Sequence, residues 1–303
     1  MTRLLLPFPL QRPLADAVAP LLGARAGRLE WRHFPDGESL VTIEEDLHGV
    51  DVALVASLCR PDELALPLRF AAATAREFGA RSVGIIAPYL AYMRQDKRFN
   101  SGEAVNAPLF ARFLEESFDW LVTADPHLHR IPELSSLFRI PVHGVTTAPL
   151  IAEWIRNNVS NAILIGPDSE SDQWVSDIAH RAGVAYQVLT KTRRGDRDVE
   201  VSIPSIDAAC NRTPVIVDDI ASSGRTMIET LDHLRQLGLP PAVCIVIHPI
   251  FAQDAYAQLL AAGADKIVST DSIPHPTNAI SIASLLADAS AELFRNTSPK
   301  ERA

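Results

Sequence analysis

Short apolar runs alternate with amphipathic segments along almost the whole of this 303-residue chain, and the alternation restricts the folds it can adopt. Several of the intervening segments have helical spacing and end on a glycine, as at Gly79 and Gly183. The apolar runs have the length and composition of buried parallel strands. They cover residues 4–6, 52–58, 83–88, 121–124, 163–165, 184–189, 215–217, 243–247 and 267–269. The pattern predicts an α/β fold of mainly parallel sheets flanked by helices, with function at the carboxyl ends of the strands.

The chain is long enough for two domains. The segment HGVTTAPL, residues 143–150, is the predicted boundary because a new series of strands and helices begins after it. We therefore expect an N-terminal domain of residues 1–145 and a C-terminal domain of residues 146–303 that includes the C-terminal helix and tail. Within the second domain, Ser171 is predicted to cap the helix that ends at Gly183.

Charge and hydropathy exclude some classes of partner. The formal net charge of −9 argues against nucleic-acid binding, because nucleic-acid-binding proteins usually carry a basic face. No apolar run approaches the ~18 residues of a membrane span, so no membrane partner is expected and the expected location is the cytoplasm. Any phosphate chemistry must therefore use local basic clusters.

The stretch VIVDDIASSGRT, residues 215–226, carries the clearest functional signal. A strand runs into Asp218 and Asp219, and a turn of small residues then leads into a helix. Carboxylates at that point can bind vicinal sugar hydroxyls, while the N–H groups and hydroxyls from Ser222 to Thr226 can hold a phosphate. An isolated acidic pair would more often be a solvated strand end. The loop that follows favours a sugar phosphate site instead.

Charged groups follow other strands as well. The block PYLAYMRQDKRFNSGE contains a basic cluster that could meet a polyphosphate, although a charged surface loop is the ordinary alternative. Asp125, His127 and His129 follow one further strand, and Asp168 follows another. Because no Cys or further His lies at a convincing zinc spacing, a hard metal with few protein ligands, such as Mg²⁺, is the better prediction. The alternative is that these histidines make ordinary hydrogen bonds within a loop and bind no metal. The segment LTKTRRGDRD is predicted to be a mobile basic loop that can close over developing negative charge.

Taken together and in order, FPDGES, RQDKR, DPH, GPD, KTR and VDDIASSGRT resemble the ribose-phosphate diphosphokinases, or phosphoribosyl diphosphate (PRPP) synthetases. The resemblance spans nearly the whole chain, including the late HPIF and TDSIP segments, and the DPH form is similar to the archaeal-type branch. It implies two phosphoribosyltransferase-like domains, the first on the nucleotide side and the second on the ribose 5-phosphate side. It also implies transfer of the β,γ-diphosphoryl group of ATP to the C1 hydroxyl of ribose 5-phosphate, with Mg²⁺ as cofactor.

The resemblance further implies a set of site residues and a homo-oligomer in which ATP sites are shared between subunits. Lys191 and Arg193 would be the catalytic pair, and His127 and Asp168 the Mg²⁺ ligands. ATP would bind Arg94 and Gln95 on one side and a neighbouring subunit's Phe34, Asp36 and Glu38 on the other. Ribose 5-phosphate would bind Asp218, Asp219, Ser222, Ser223, Gly224, Arg225 and Thr226.

Two stretches depart from the pattern of the family. Arg225 stands where a glycine is usual, which would place a Cβ where the backbone is expected to need a positive φ. Ser169, Glu170 and Ser171 also replace glycines. These departures motivate two alternatives: a non-catalytic paralogue that binds nucleotide or ribose phosphate and regulates a true synthetase, and an enzyme with another sugar acceptor or nucleotide.

Overall fold

The computed structural model of the chain describes residues 2–128, 130–168, 171–194, 198–202 and 211–296, with all their side chains except those of residues 190–194 and 198–202. The described residues form two compact units. The first contains the residues up to Thr146 and those from Ile282 onward, and the second is Thr147–Ser281. Within the described ranges, no helix is both long enough and apolar enough to cross a membrane.

The first unit is built on a six-stranded sheet with the order β2-β1-β5-β6-β7-β8, in which every pair of neighbours is parallel. An antiparallel hairpin, β3 with β4, stands apart from this sheet. Short 3₁₀ turns occur at Pro9–Gln11 and Leu134–Ser136. In chain order the strands and helices are β1 (Arg3–Pro7), α1 (Arg12–Leu21), β2 (Arg25–Ala26), β3 (Leu29–His33), β4 (Ser39–Ile43), β5 (Asp51–Val55), α2 (Pro61–Glu77), β6 (Ser82–Ala87), α3 (Asn106–Ser117), β7 (Leu121–Ala124) and β8 (Val142–Val145).

The second unit has a six-stranded sheet with the order β10-β9-β13-β14-β15-β16, again parallel throughout. An antiparallel hairpin, β11 with β12, accompanies it. The elements are α4 (Ala148–Asn158), β9 (Ala162–Gly166), α5 (Asp172–Ala182), β10 (Ala185–Val188), β11 (Thr190–Arg194), β12 (Asp198–Ser202), β13 (Thr213–Ile220), α6 (Arg225–Gln236), β14 (Val243–His248), α7 (Ala255–Ala261), β15 (Lys266–Thr270) and β16 (Asn278–Ile280). The predicted parallel sheets flanked by helices are thus confirmed in both units.

Both faces of the second sheet are buried, which explains why its strands are continuously apolar in sequence. Ile216 and Cys244 belong to one hydrophobic cluster, together with side chains of α6 and α7. Their strand neighbours Val215 and Ile245 belong to another, together with side chains of α4 and α5. Successive residues of a strand point to opposite faces, so a strand covered on both sides needs an apolar residue at every position.

The last helix, α8 (Ala283–Asn296), belongs to the first unit, whereas the predicted division placed it with the second domain. Its Phe294 ring lies 4.8 Å from the ring of Trp120, which is fully buried. The guanidinium of Arg3 lies 5.3 Å from the centre of the same Phe294 ring. These long-range contacts attach the helix to β1 and β7, and they have no local signal in the sequence. The tail, residues 297–303, lies outside the described residues.

A tight approach between neighbouring strands gives a first testable prediction. A Cβ added at Gly84 in β6 would lie 2.0 Å from Cε2 of Trp120. Because the indole ring is buried and cannot move away freely, we expect Gly84→Ala to lower the free energy of unfolding by about 1–3 kcal/mol. Urea denaturation measures this change.

Gly144→Ala, on β8 of the same sheet, is the matched control. Its added Cβ would lie 3.5 Å from the nearest atoms, which belong to the Pro126 ring and are at ordinary contact distance. We expect the unfolding midpoint of this variant to stay at or slightly above that of the wild type. Equal midpoints for Gly84→Ala and Gly144→Ala would contradict the packing argument.

Candidate functional site

The turn after β13 has the form of an anion-binding loop at the start of a helix. Gly224 has a left-handed backbone, with φ of +66°, and α6 begins at the next residue, Arg225. A Cβ at Gly224 would also come within 3.4 Å of Leu259. The expectation that Arg225 would occupy a position of positive φ is therefore wrong: that conformation falls one residue earlier, on a glycine. The Arg225 side chain is exposed.

The backbone of this loop leaves its donors open. Among the described residues, the N–H groups from Ser222 to Thr226 donate no hydrogen bond, while the next helical donor, Ile228, bonds to the Gly224 carbonyl at 2.9 Å. The side chains of Ser222 and Thr226 are half-buried beside these donors. Open N–H groups and hydroxyls at the positive end of a helix are suited to a phosphate.

The predicted acidic pair lies inside β13, just before the loop. Asp218 and Asp219 are both half-buried, and the Asp219 N–H donates to Oδ1 of Asp218 at 2.9 Å. Burial raises the pKa of Asp218 well above its usual value, and the negative charges of Asp219 and Asp168 raise this pKa further. Asp168, Asp218 and Asp219 thus all lie at the carboxyl edge of the second sheet.

Asp168 is fixed by the turn that follows β9. The Ser171 N–H donates to Oδ1 of Asp168 at 3.2 Å, and the Ser171 hydroxyl donates to the Asp168 carbonyl at 2.6 Å. Ser171 therefore stands at the start of α5 as predicted, but its side chain makes no capping bond to the helix because its hydroxyl is used by Asp168. Ser169 and Glu170 lie outside the described residues.

The predicted catalytic pair lies on a strand. Lys191 and Arg193 occupy alternate positions of β11, opposite Val201 and Val199 of β12. The backbone here is paired in an antiparallel hairpin, whereas the sequence predicted a mobile loop throughout. The alternation of threonine with basic residues from position 190 is compatible with a strand, which explains the difference. Residues 195–197 lie outside the described residues, as do the side chains of both strands.

In the first unit, FPDGES closes the hairpin of β3 and β4 as a tight turn. The Phe34 N–H donates to the Glu38 carbonyl at 2.8 Å, and the Glu38 N–H donates to Oδ1 of Asp36 at 3.2 Å. Phe34 is 39% exposed, and the guanidinium carbon of Arg32 lies 4.5 Å from the centre of its ring. The turn therefore presents an aromatic face to solvent with a cation beside it.

The RQDKR segment follows β6 and is anchored by its acidic residue. The side chain of Asp96 is only 2% exposed and accepts two hydrogen bonds from Arg130, at 3.0 and 3.2 Å. The side chain of Gln95 accepts a hydrogen bond from that of Asn106. Arg94 is exposed and makes no hydrogen bond or ion pair with the described residues. These hydrogen bonds hold the segment in place, and Arg94 remains available to a ligand.

The two predicted metal ligands belong to different units. His127 follows β7 in the first unit, where the preceding Asp125 has a φ of +33° and its N–H donates to the Val145 carbonyl at 2.8 Å. Asp168 lies in the second unit. Among the residues that the structure describes, no three His, Cys, Asp or Glu side chains come close enough together to hold a metal ion. His129 lies outside the described residues.

Comparison with known proteins adds to this geometry. A family model for the N-terminal domain of ribose phosphate pyrophosphokinase matches residues 5–117, and a model for the phosphoribosyl transferase domain matches residues 140–279. The ribose-phosphate pyrophosphokinase of Methanothermobacter thermautotrophicus is 33% identical over 277 residues, covering 91% of this chain and 95% of its own. The chain belongs to the ribose-phosphate pyrophosphokinase family. The predicted kinship and the predicted enzyme class, a transferase, are both confirmed.

Other members of the family extend this result. The ribose-phosphate pyrophosphokinase of Methanopyrus kandleri is also 33% identical, over 91% of this chain and 94% of its own. The crystal structure of phosphoribosylpyrophosphate synthetase from Mycobacterium smegmatis matches with a TM-score of 0.84 at 23% identity, covering 98% of this chain and 100% of that one. That likeness concerns the fold, and it confirms the predicted phosphoribosyltransferase-like architecture.

Sequence reasoning assigned no role to the HPIF segment, residues 248–251, which proves to contact the anion-binding loop. The Phe251 N–H donates to the Ala221 carbonyl at 2.8 Å, and the Ala252 N–H donates to the Ser222 carbonyl at 2.9 Å. The position of this segment directly after an apolar strand was its only signal in the sequence. Its contacts with the loop cross about 30 residues of chain and have no local pattern.

The location of the left-handed residue can be tested with two adjacent substitutions. We expect Gly224→Ala to lower the free energy of unfolding by about 1–2 kcal/mol, because a side chain is unfavourable at positive φ. We expect Arg225→Ala to change it by less than about 0.5 kcal/mol, since Arg225 is exposed and already helical. Thermal and urea denaturation measure both. A larger loss for Arg225→Ala than for Gly224→Ala would contradict the assignment.

The raised pKa of Asp218 predicts that the stability of the protein depends on pH. The pKa of folded Asp218 lies above the value of about 3.9 in an unfolded chain. Protonated Asp218 therefore makes its full contribution to the free energy of unfolding at pH values below the pKa of the unfolded chain. This contribution is lost as the pH rises through the folded pKa. Asp218→Asn cannot ionise, so we expect its stability relative to the wild type to increase from pH 4 to pH 8.

Urea denaturation at a series of pH values, without Mg²⁺ or substrates, measures this difference. Asp265→Asn, at an exposed position before β15, is the control and should show a constant difference from the wild type. A pH-independent difference for Asp218→Asn would mean that Asp218 titrates in the folded protein as it does in the unfolded chain.

Proposed function

We propose that this chain catalyses the Mg²⁺-dependent transfer of the β,γ-diphosphoryl group of ATP to the C1 hydroxyl of ribose 5-phosphate. The products would be PRPP and AMP, and the reaction would feed nucleotide biosynthesis. The observation that carries the proposal is the order of groups on one edge of the second sheet, where the acidic pair of β13 is followed directly by a loop of open N–H donors. Membership of the ribose-phosphate pyrophosphokinase family supports it.

The second unit would bind ribose 5-phosphate. Carboxylates accept hydrogen bonds only, so Asp218 and Asp219 suit the vicinal hydroxyls of the ribose. The open N–H groups and hydroxyls from Ser222 to Thr226 suit the 5-phosphate, and the exposed Arg225 adds a positive charge at the start of the helix. A sugar without a phosphate would therefore lose one of the two attachments.

The first unit would bind ATP. Arg94 is free to meet a phosphate and Gln95 is held beside it by Asn106. A neighbouring subunit of a homo-oligomer would supply Phe34, Asp36 and Glu38, with the exposed Phe34 ring stacking on adenine. The Phe34 turn supports this arrangement, because its hydrogen bonds fix the backbone while the ring remains accessible.

The donor chemistry fits Mg²⁺, which prefers carboxylate oxygens and needs few protein ligands. Burial and then the negative charges of Asp219 and Asp168 raise the pKa of Asp218, and a cation would compensate that negative charge. Asp168 and His127 would hold the metal, and bound Mg²⁺ would neutralise charge on the transferring phosphates. Lys191 and Arg193 would stabilise the negative charge that develops on those phosphates.

No covalent nucleophile is required of the protein. The C1 oxygen of the ribose would form the new bond to the β-phosphorus of ATP, and the bond from that phosphorus to the AMP oxygen would break. The chain would accelerate the step by holding both substrates in line and by excluding water.

A cytoplasmic location remains a prediction from the sequence.

The regulatory alternative has lost part of its basis. One of its motives was the strain expected at Arg225, which adopts an ordinary helical conformation. Another was the replacement of glycines after the GPD motif, and there Ser171 is buried and bonded to Asp168. Catalysis therefore remains the better proposal.

³¹P NMR of the purified chain with ATP, ribose 5-phosphate and Mg²⁺ tests the proposal. We expect signals of AMP and of a new diphosphate ester, which Lys191→Ala should reduce by about 100-fold or more if the residue stabilises the transition state. Lys266→Ala, on an exposed strand end, should retain the activity of the wild type. Formation of ADP would indicate a simple kinase, and ligand binding without turnover would favour the regulatory paralogue.

A further inference from the structure

The N–H groups of the anion-binding loop, residues 222–226, which the structure describes in full, donate no hydrogen bonds within the loop. Contacts with neighbouring segments must therefore fix the shape of the loop. The HPIF segment supplies this constraint. Besides the bonds that Phe251 and Ala252 donate to the loop, the Ala221 N–H donates to the His248 carbonyl at 3.3 Å. These bonds extend beyond the last paired residues of β13 and β14, which are Ile220 and His248. Any displacement of the segment would therefore move the N–H donors of the loop.

The segment itself is held in an unfavourable backbone conformation. Phe251, the last residue of the segment, has a φ of +38°, and Gln253, two residues beyond it, has a φ of +57°. Neither residue is a glycine. Left-handed backbone at such residues is unfavourable and persists only where surrounding contacts enforce it. The contacts that hold the segment are therefore a necessary part of the loop's geometry.

Three aromatic rings supply those contacts. The Phe251 ring is 8% exposed and lies 4.7 Å from the ring of His275 and 5.7 Å from that of Tyr256. The rings of Tyr256 and His275 are 5.2 Å apart in an edge-to-face arrangement, so each ring touches the other two. Such pairs stabilise a structure beyond the contribution of the area they bury. We call these three residues the aromatic cluster.

The orientation of His275 is fixed from the TDSIP side of the chain. Its Nδ1 accepts a hydrogen bond from the Thr277 N–H at 3.3 Å and lies 2.8 Å from the Thr277 hydroxyl. The backbone N–H of His275 donates to Oδ1 of Asn278 at 2.8 Å. The aromatic cluster therefore joins the segment after β15 to the anion-binding loop.

We propose that the aromatic cluster of Phe251, Tyr256 and His275 is a positioning element for ribose 5-phosphate. It holds the left-handed backbone at Phe251, whose N–H holds Ala221, so that the N–H donors from Ser222 to Thr226 converge on the phosphate. None of the three side chains touches the substrate. The inference rests on the proposed function, because it assumes that the loop receives the 5-phosphate.

Two substitutions at one position test the proposal. Tyr256 is half-buried, and its hydroxyl makes no hydrogen bond with the described residues, so Tyr256→Phe keeps both ring contacts. Tyr256→Ala removes them. We expect Tyr256→Ala to raise the KM for ribose 5-phosphate about tenfold or more, with kcat at saturation and the KM for ATP within about twofold of the wild type. We expect Tyr256→Phe to match the wild type.

Phe251→Leu is a second variant, in case Tyr256→Ala folds poorly, and should show the same selective rise in KM. Ile178→Val, in α5 on the opposite face of the sheet, is the control for a general loss of packing. It should lower the thermal midpoint without changing the KM for ribose 5-phosphate.

Calorimetric titration of ribose 5-phosphate into each protein separates the possible failures. If the wild type does not bind ribose 5-phosphate, the proposed function and this inference both fail. If the wild type binds it and Tyr256→Ala and Phe251→Leu bind it equally well, the inference alone fails. A parallel rise in both KM values, or a rise with Ile178→Val as well, would identify a general structural role and would also overturn it.

Discussion

The candidate site depends on the parallel pairing of β13 with β9 on one side and β14 on the other. Because the three strands run in the same direction, the groups that follow them lie along one edge of the sheet. Asp168 comes after β9, the acidic pair closes β13, and the HPIF segment begins where β14 ends. A buried strand with apolar residues on both faces thus brings the acidic pair, the loop of open N–H donors and the HPIF segment together.

The electrostatics of this edge are divided between two adjacent regions. At the end of β13, burial and the negative charges of Asp219 and Asp168 disfavour the ionisation of Asp218, which lowers the stability of the protein as the pH rises. A few residues further on, unbonded N–H groups provide the opposite polarity. A ligand with hydroxyls at one end and phosphate at the other satisfies both regions, and a cation would relieve the first. The surplus of acidic residues in the chain as a whole is compatible with this arrangement, because the positive potential is local.

Much of the fold could be predicted from the sequence, since strands buried on both faces appear as continuous apolar runs. The hairpins β3–β4 and β11–β12 did not appear in this way, because their strands mix polar with apolar or β-branched residues. At the site, the acidic pair and the small-residue turn were recognisable because their chemistry is local. The left-handed Gly224, the hydroxyl of Ser171 turned toward Asp168, and the bond from Phe251 to Ala221 depend on three-dimensional contacts that short sequence patterns do not encode.

The return of α8 to the first unit has a consequence for the order in which the chain can fold during synthesis. The polypeptide passes between the units twice, after Thr146 and again after Ser281. A nascent chain that has emerged as far as residue 281 contains every residue of the second unit, yet Trp120 still lacks its contact with Phe294. The unit that is translated first is therefore the last to be completed. Until then the nascent protein carries an unfinished apolar surface, the kind of surface that chaperones bind.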